Sequence, residues 1–533
     1  MHRKLRADLC CCVLIASVAL CGSVNSSPSW AGSVQRLEPM PGGELSSTVA
    51  GGFGPSTAIS SQWVPGVPPA LSGAAIAYSS GDGYLVLFGG QTGVGSAQQF
   101  TNATWVLSQG QWYNVTRAEH QSPEARFGAS MTYDSTDGSL VLFGGAESSG
   151  MMPNETWTFK GGQWENLTSS LVGQPPAGRT APAMADDPSD AGIVLFGGIG
   201  PTCGPFFCPS SNDTWVLAHG RWNQLHPTLS PTARISPMTY DSESGTDILF
   251  GGRTNNAYYA DGTWSFHNGV WTNLTSSVGS PLLPVGASQC WDPLLSDDPA
   301  DGYMVLTESC GPGFSMTGTS ATWSFHQGWT RLDQDTGRGP LTTESCMTFD
   351  ESAGEVVLEG GYVYQNYSVL RQDWRFSHGL WTQYFLVTLQ EVGLPTGTNW
   401  TGSLNSSSAY GTSSNLSFEE PTGSYGFSVG QAAGMAPTPA VGTLSVADSN
   451  LTLKIRFAPI PANPTWFLEP PWLWGFVGVF ALALALALAA LHALVTRRRR
   501  RLLEPTPVTG TSPSSARILR VADPRAARIH SSA

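Results

Sequence analysis

The chain has 533 residues, 41% hydrophobic and only 12% charged, enough to bury a large core and to divide into more than one domain. Its net charge is −13. Residues 497–533 carry nine Arg against two acids and residues 1–8 three basic residues against one acid, which leaves residues 9–496 at −22. So acidic a main body excludes nucleic acid and anionic lipid as its ligand.

The amino terminus reads as a secretory signal peptide over residues 1–31. His2-Arg3-Lys4-Leu5-Arg6 is basic, Leu9 to Leu20 is apolar but too short to span a bilayer, and small residues follow from Gly22. Val18-Ala19-Leu20-Cys21 departs from a lipobox in the large Leu before Cys21, and the sequence leaves cleavage open. Residues 32–71 form a linker. Within it, Trp63 with Leu71 looks like an isolated last strand that either completes a ring or begins a degenerate seventh unit.

Over residues 72–384 one pattern recurs six times. Leu87, Leu142, Leu195, Leu249, Leu306 and Leu358 each open a block like LFGG, with a period of 52 to 57 residues. A first Trp follows (Trp105, Trp157, Trp215, Trp264, Trp323, Trp374), then a second (Trp112, Trp164, Trp222, Trp271, Trp329, Trp381). Each unit reads as four short strands, as in GASMTYD, LVLFGG, ETWTF and QWENL of the second. Four antiparallel strands per unit, repeated about an axis, protect sheet edges in a propeller. The pattern resembles the kelch repeat family, including the galactose-oxidase-like propellers, which implies an all-β propeller of six blades, with seven held open. The fifth unit departs from it, with Thr307-Glu308-Ser309 for Phe-Gly-Gly, and the sixth has Glu359 for the Phe.

Residues 385–458 are short alternating runs punctuated by Gly, Pro and Ser, the signature of a small β-sandwich. Glu391, Gly393, Leu394, Pro395, Gly397, Thr398, Trp400, Gly423 and Tyr425 resemble a module of archaeal surface and thermopsin-like proteins. The resemblance implies an accessory or stalk unit with no catalytic residues, and an archaeal source. Pro459 to Pro471 reads as a spacer. Residues 472–496 read as a single transmembrane helix, apolar from Trp472 to Val495 and flanked by Trp466, Trp472 and Trp474 and by Arg497 to Arg501; the basic tail, residues 497–533, lies on the cytoplasmic side.

Outside the leader stand five cysteines. Cys203 and Cys208 bracket Gly-Pro-Phe-Phe closely enough for a disulfide, while the pairing among Cys290, Cys310 and Cys346 stays open. Eleven Asn-x-Ser/Thr sequons are glycosylation candidates: Asn102, Asn114, Asn154, Asn166, Asn212, Asn273, Asn366, Asn399, Asn405, Asn415 and Asn450. Several fall at one place in the repeat, where turn chemistry also selects Asn.

Little in the chain reads as chemistry. His219, His267, His326 and His378 lie in turns between third and fourth strands, and Asp335-Thr336-Gly337 is a single copy without the second carboxylate that an aspartic protease needs. Arg126, Arg179 and Arg234 recur before the first strand, as a structural ion pair or backbone contact would. The sequence expects no metal, no cofactor and no catalytic residue. The loops after the Gly pair and between units emerge on one face. They carry Phe206, Phe207, Tyr258, Tyr259, Phe314, Tyr362 and Tyr364, aromatics that suit a glycan or a protein partner. The expectation is a cell-membrane protein, single-pass, with its bulk extracellular, that recognises a glycan or surface protein. A glycan-acting enzyme on the same face and a surface-layer component are the alternatives.

Overall fold

The computed structural model describes residues 62–460 and 481–495, apart from 190–191, 202–207, 256–259, 282–288, 312–318, 333–338, 342, 364–367 and 370. The expected leader, the Asp335-Thr336-Gly337 loop and the basic tail all lie outside the described residues. The chain divides into two units at residues 459 and 460.

Among the described residues each of the first five repeats forms its own antiparallel sheet, and the sixth pairs its four strands in the same way within a sheet that runs on into the carboxyl-terminal segment. The second shows the rule: Ser130–Asp134, Ser139–Phe143, Thr156–Lys160 and Gln163–Asn166 pair in that order. The apolar second strand is buried throughout, Leu140 to Phe143 being at most 1% exposed. First strands pack side by side from one sheet to the next, and that of the sixth sheet, Cys346–Asp350, packs against that of the first, Ala75–Ser79.

What joins neighbouring sheets is a repeated polar contact inside an apolar one. In five of the six second Trp residues the indole N–H donates to a Thr hydroxyl on the third strand of the preceding sheet: Trp164 to Thr104, Trp222 to Thr156, Trp271 to Thr214, Trp329 to Thr263 and Trp381 to Thr322, all at 2.9 to 3.0 Å. The Phe cross-strand from that Thr presents its ring edge-on to the same indole, as Phe88 does to Trp164 and Phe143 to Trp222, at centroid distances of 4.9 and 5.3 Å. Burying an indole therefore leaves no donor unmet at these seams.

The Gly pair has an equally local cause. The N–H of its second Gly donates to a backbone carbonyl of the next repeat, Gly90 to Arg126, Gly145 to Arg179 and Gly198 to Arg234. Gly144 sits at φ +71°, and a Cβ there would stand 2.3 Å from the Arg179 carbonyl. Those arginines also brace their own repeat. Arg126 donates to the Gly144 carbonyl and to Glu155, and Arg179 donates to the Gly197 carbonyl and to Asp213. Arg234 donates to the Gly251 carbonyl.

The isolated strand ahead of the repeats is Val64–Pro65, which lies antiparallel on Gln111–Asn114 as an outermost fifth strand of the first sheet. It neither closes the ring nor starts a further sheet, because Trp63 packs against Tyr84 and Tyr113 of the first repeat itself. Leu71 does sit at closure: its carbonyl accepts from the N–H of Gly361.

In the fifth repeat the strands lengthen to Gln289–Asp298 and Tyr303–Gly311, and Cys290 and Cys310, directly opposite across them, form a disulfide; Cys346 is free and buried. Cys208 is disulfide-bonded, and Cys203, its expected partner, lies outside the described residues.

The expected domain boundary at residue 385 falls inside one strand. Leu380–Val392 begins as the last strand of the sixth sheet, on Asp373–Ser377, and ends in the sandwich, antiparallel to Asn415–Pro421 and parallel to Leu451–Pro459. The motif residues serve the sandwich core. Trp400 is 1% exposed, donates to the Ser413 carbonyl and meets Phe457 edge-on; Glu391 caps the turn at the N–H of Leu394, and Tyr425 donates to the Pro421 carbonyl.

Of the expected membrane span, 472–480 and 496 lie outside the described residues, and 481–495 form an apolar helix with every residue exposed. No helix among the described residues is long and apolar enough to cross a membrane.

The close carbonyl at the Gly pair makes a sharp test. Gly144→Ala should lower stability in chemical denaturation by more than about 2 kcal/mol, because strain in a left-handed conformation adds to a backbone clash. Gly161→Ala should cost only about 1–2 kcal/mol, because Gly161 also has positive φ but meets nothing within 4 Å.

Candidate functional site

The register of the sheets defines an equivalent position in every repeat, two residues ahead of the strand-one partner of Phe88, Phe143, Phe196 and Phe250, or of Thr307 and Glu359 in the last two repeats. It is Gly73, Gly128, Ala181, Ile235, Asp292 and Glu344. Around the inner edge these residues join by backbone bonds: Gly73 N–H to the Glu344 carbonyl, Gly128 to Gly73 and Ala181 to Gly128, at 2.7 to 2.8 Å. Five of the six have positive φ. Gly takes that conformation freely, whereas a side chain there costs about 1–2 kcal/mol. In the fifth and sixth repeats, neighbours around the ring, the strained position carries a carboxylate, Asp292 at φ 43° and Glu344 at φ 55°. Strain kept at neighbouring positions is a pointer to function.

Both residues are half-buried. Burial, then the charge of Asp292, pushes the Glu344 carboxyl up to about 7; the Ser72 hydroxyl and Arg253 work the other way. Burial also raises Asp292, and Arg253 again opposes. Glu308 stands where other repeats have the first Gly of the pair. There the strand runs on instead of turning, so its side chain is buried, and burial, then Asp261, pushes it up to about 8. Burial thus raises three carboxyls, Glu344, Asp292 and Glu308, and the half-buried Arg253 opposes the shift at the first two. Perturbed carboxyls cluster at functional sites.

Among the described residues two side-chain groups have the spacing of a metal site. In Cys290, Glu308 and Cys310 the two sulfurs are tied in the disulfide. In Glu359, Asp373 and Glu419 the positive charge is already supplied, because Arg375 pairs with Asp373 and Arg371 with Glu419.

Of the aromatics expected on this face, Tyr362 is 5% exposed and its N–H and carbonyl bond to Thr343. It packs its loop and does not line a mouth, a correction that follows from its place in the strand Tyr362–Val363. Phe206, Phe207, Tyr258, Tyr259, Phe314 and Tyr364 lie outside the described residues. The histidine turns stay apart: His267 meets Ser189, His326 pairs with Glu243, and the His378 N–H donates to Asp301, each on the preceding repeat.

The sequons fall into two classes. Asn114, Asn166 and Asn273 accept the N–H of the Thr two residues on, whose hydroxyl accepts the N–H of Thr104, Thr156 or Thr263. Asn102, Asn154, Asn212, Asn399, Asn405, Asn415 and Asn450 are exposed, and Asn366 lies outside the described residues.

Asp292, Glu344, Glu308 and Arg253 were missed from sequence. Their signal was present: aligned on strand one, the repeats show Gly, Gly and Ala in the first three and an acid in the last two.

All-β sheets built on these repeats fit a β-propeller of kelch type. Residues 73–290 match the family model described as the KLHDC2/KLHL20/DRC7 Kelch-repeats domain. The chain is 32% identical over 236 residues to multiple epidermal growth factor-like domains protein 8 of Rattus norvegicus and, equally, of Mus musculus, a match covering 40% of this chain and 8% of theirs. It is 34% identical over 131 residues to tRNA wybutosine-synthesizing protein 4 of Emericella nidulans, covering 23% of this chain and 12% of that protein. Among solved structures, that of YjhT aligns at 15% identity and a TM-score of 0.35, over 49% of this chain and 83% of that one.

The raised carboxyls set the pH dependence. A folded pKa above the ordinary 4.5 means that the native state holds protons the unfolded chain releases, so stability is full below about 4.5 and falls as pH rises through about 7 and 8. Thermal unfolding should give a higher Tm at pH 5 than at pH 8.5, and Glu344→Gln combined with Glu308→Gln should reduce that difference, with Glu119, at about 7, contributing to what is left.

Proposed function

We propose that this protein is a membrane-anchored, extracellular recognition module: a kelch-type propeller of six blades that binds a glycan or protein partner on the face carrying Asp292 and Glu344. One observation carries the reading. Two neighbouring repeats hold carboxylates in strained backbone on the face where the inter-repeat loops emerge. The kelch match supports a protein-interaction or adhesion role. First strands that pack in a closed cycle of six support the blade count. Anchoring is supported by the helix at 481–495, in which Leu482, Leu484 and Leu486 are each 64% exposed, next to the five arginines from Arg497. In membrane fractionation the chain should resist alkaline carbonate, and protease added to intact cells should remove the repeats.

A glycan-acting enzyme on the same face is the second reading, favoured by the same two carboxyls, because paired acids with raised pKa serve general acid–base chemistry. Screening the chain on glycan and surface-protein arrays, with Asp292→Asn and Glu344→Gln beside it, separates the two. Recognition predicts binding that falls at least about tenfold in either variant, with no product formed, since a lost charge-assisted contact is worth about 1.5–3 kcal/mol. Catalysis predicts bound glycan converted by the native chain and left intact by the variants. Unchanged binding in both variants would place the ligand elsewhere.

A further inference from the structure

The first sheet takes its strands from residues 64–114 and the sixth from residue 346 onward, so no strand is traded between them to lock the ring. Their seam also differs in its central contact, because the Trp112 indole meets a carboxyl, Glu359, and not a Thr hydroxyl. Where the Phe and Thr of a cross-strand pair should receive Trp112, the sixth sheet offers Glu359 and Asp373. Trp112, Glu359 and Asp373 are all at most 4% exposed. Two buried acids facing an indole would not hold a seam unaided.

The compensation comes from elsewhere in the chain. Arg375 lies against Asp373 through Nε at 2.7 Å, and over the ring of Tyr384. Arg371 donates through Nε to the Pro68 carbonyl, on the stretch that leads into the first sheet, and pairs at its other end with Glu419. Glu419 belongs to the sandwich strand Asn415–Pro421, opposite Leu386. Carboxylate oxygens of Glu359, Asp373 and Glu419 lie within 4.8 Å of one another. The entry to the first sheet, the sixth sheet and the sandwich thus meet in one buried ionic group.

We propose that the carboxyl-terminal sandwich is the clasp of the ring: Glu419 fixes Arg371, Arg371 fixes residue 68, and the seam between the sixth and first sheets stays shut only while the sandwich is docked. Burial, then the charge of Asp373, pushes Glu359 well above the ordinary carboxylate range, while Arg375 and Arg371 oppose that shift; Asp373 and Glu419 are the acids that pair with the two guanidiniums. Other seam bonds do not involve the sandwich, among them Gly73 to the Glu344 carbonyl, Gly361 to the Leu71 carbonyl, Ser80 to Glu351 and the Trp112 indole to Glu359, and they define the rival account in which the seam holds by itself.

Hydrogen exchange read by mass spectrometry on the full chain in detergent micelles separates these accounts. With Glu419→Gln, the amides of Ala75–Ser79 and Cys346–Asp350 should exchange at least about tenfold faster, while those of Ser130–Asp134 and Met238–Asp241 keep the native rate, because removing one partner of a buried pair strands the other. Arg371→Met should give the same local pattern. Glu155→Gln, which unpairs Arg126 away from the seam, should not. Should Glu419→Gln fail to fold, Glu419→Asp decides, since it keeps the charge and withdraws it by one methylene; the seam amides should again lead, at smaller amplitude. Native exchange at the seam in Glu419→Asp and Arg371→Met, or equal acceleration in every first strand, would overturn the proposal.

Discussion

One donor and one acceptor hold this molecule together: the indole N–H of a second Trp and the Thr hydroxyl of the preceding sheet. An indole is the largest apolar surface a side chain offers, but it carries a donor that is costly to bury unmet. Placing a Thr where the neighbour's indole ends removes that cost, and the Phe across the strand fills the space beside it. That Thr takes part in a second contact in three repeats, where its N–H donates to the Thr hydroxyl of an Asn-x-Thr turn. The strand end, the turn and the seam are thus one network, which explains why the Trp spacing varies so little while the loops vary freely.

That network is why the architecture was legible. The paired Trp residues, the Gly pair and the four-strand unit each answer to a contact within a repeat or with the next one, so local pattern and packing agree. The turn histidines and the recurrent arginines were read for the same reason. What local pattern cannot show is where a strand goes once it has left its own sheet. Leu380–Val392 crosses from repeat to sandwich through an unbroken apolar run, Tyr384 to Val387, and no Gly or Pro marks the passage.

The candidate site was hidden for a different reason. An acid next to a strand looks like an ordinary solvated residue, and Asp292-Pro293 and Glu344-Ser345 carry no motif. Only the register, which puts both at the place of Gly73 and Gly128, shows that their backbone is strained and that both belong to the inner edge. The departures seen in the fifth and sixth repeats, Glu308 and Glu359, then have separate meanings. Glu308 joins the carboxyls of the loop face, and Glu359 belongs to the ionic group of the seam.

The shared strand has a mechanical corollary. Leu451–Pro459 runs parallel to the far half of Leu380–Val392, and its last residue lies at the opposite end from the point where that strand enters the sixth sheet. Tension applied at Ile460 would slide the two strands lengthwise, loading their ladder of bonds together rather than peeling it rung by rung. A tether leaving at that point pulls along the stiffest direction a sheet possesses.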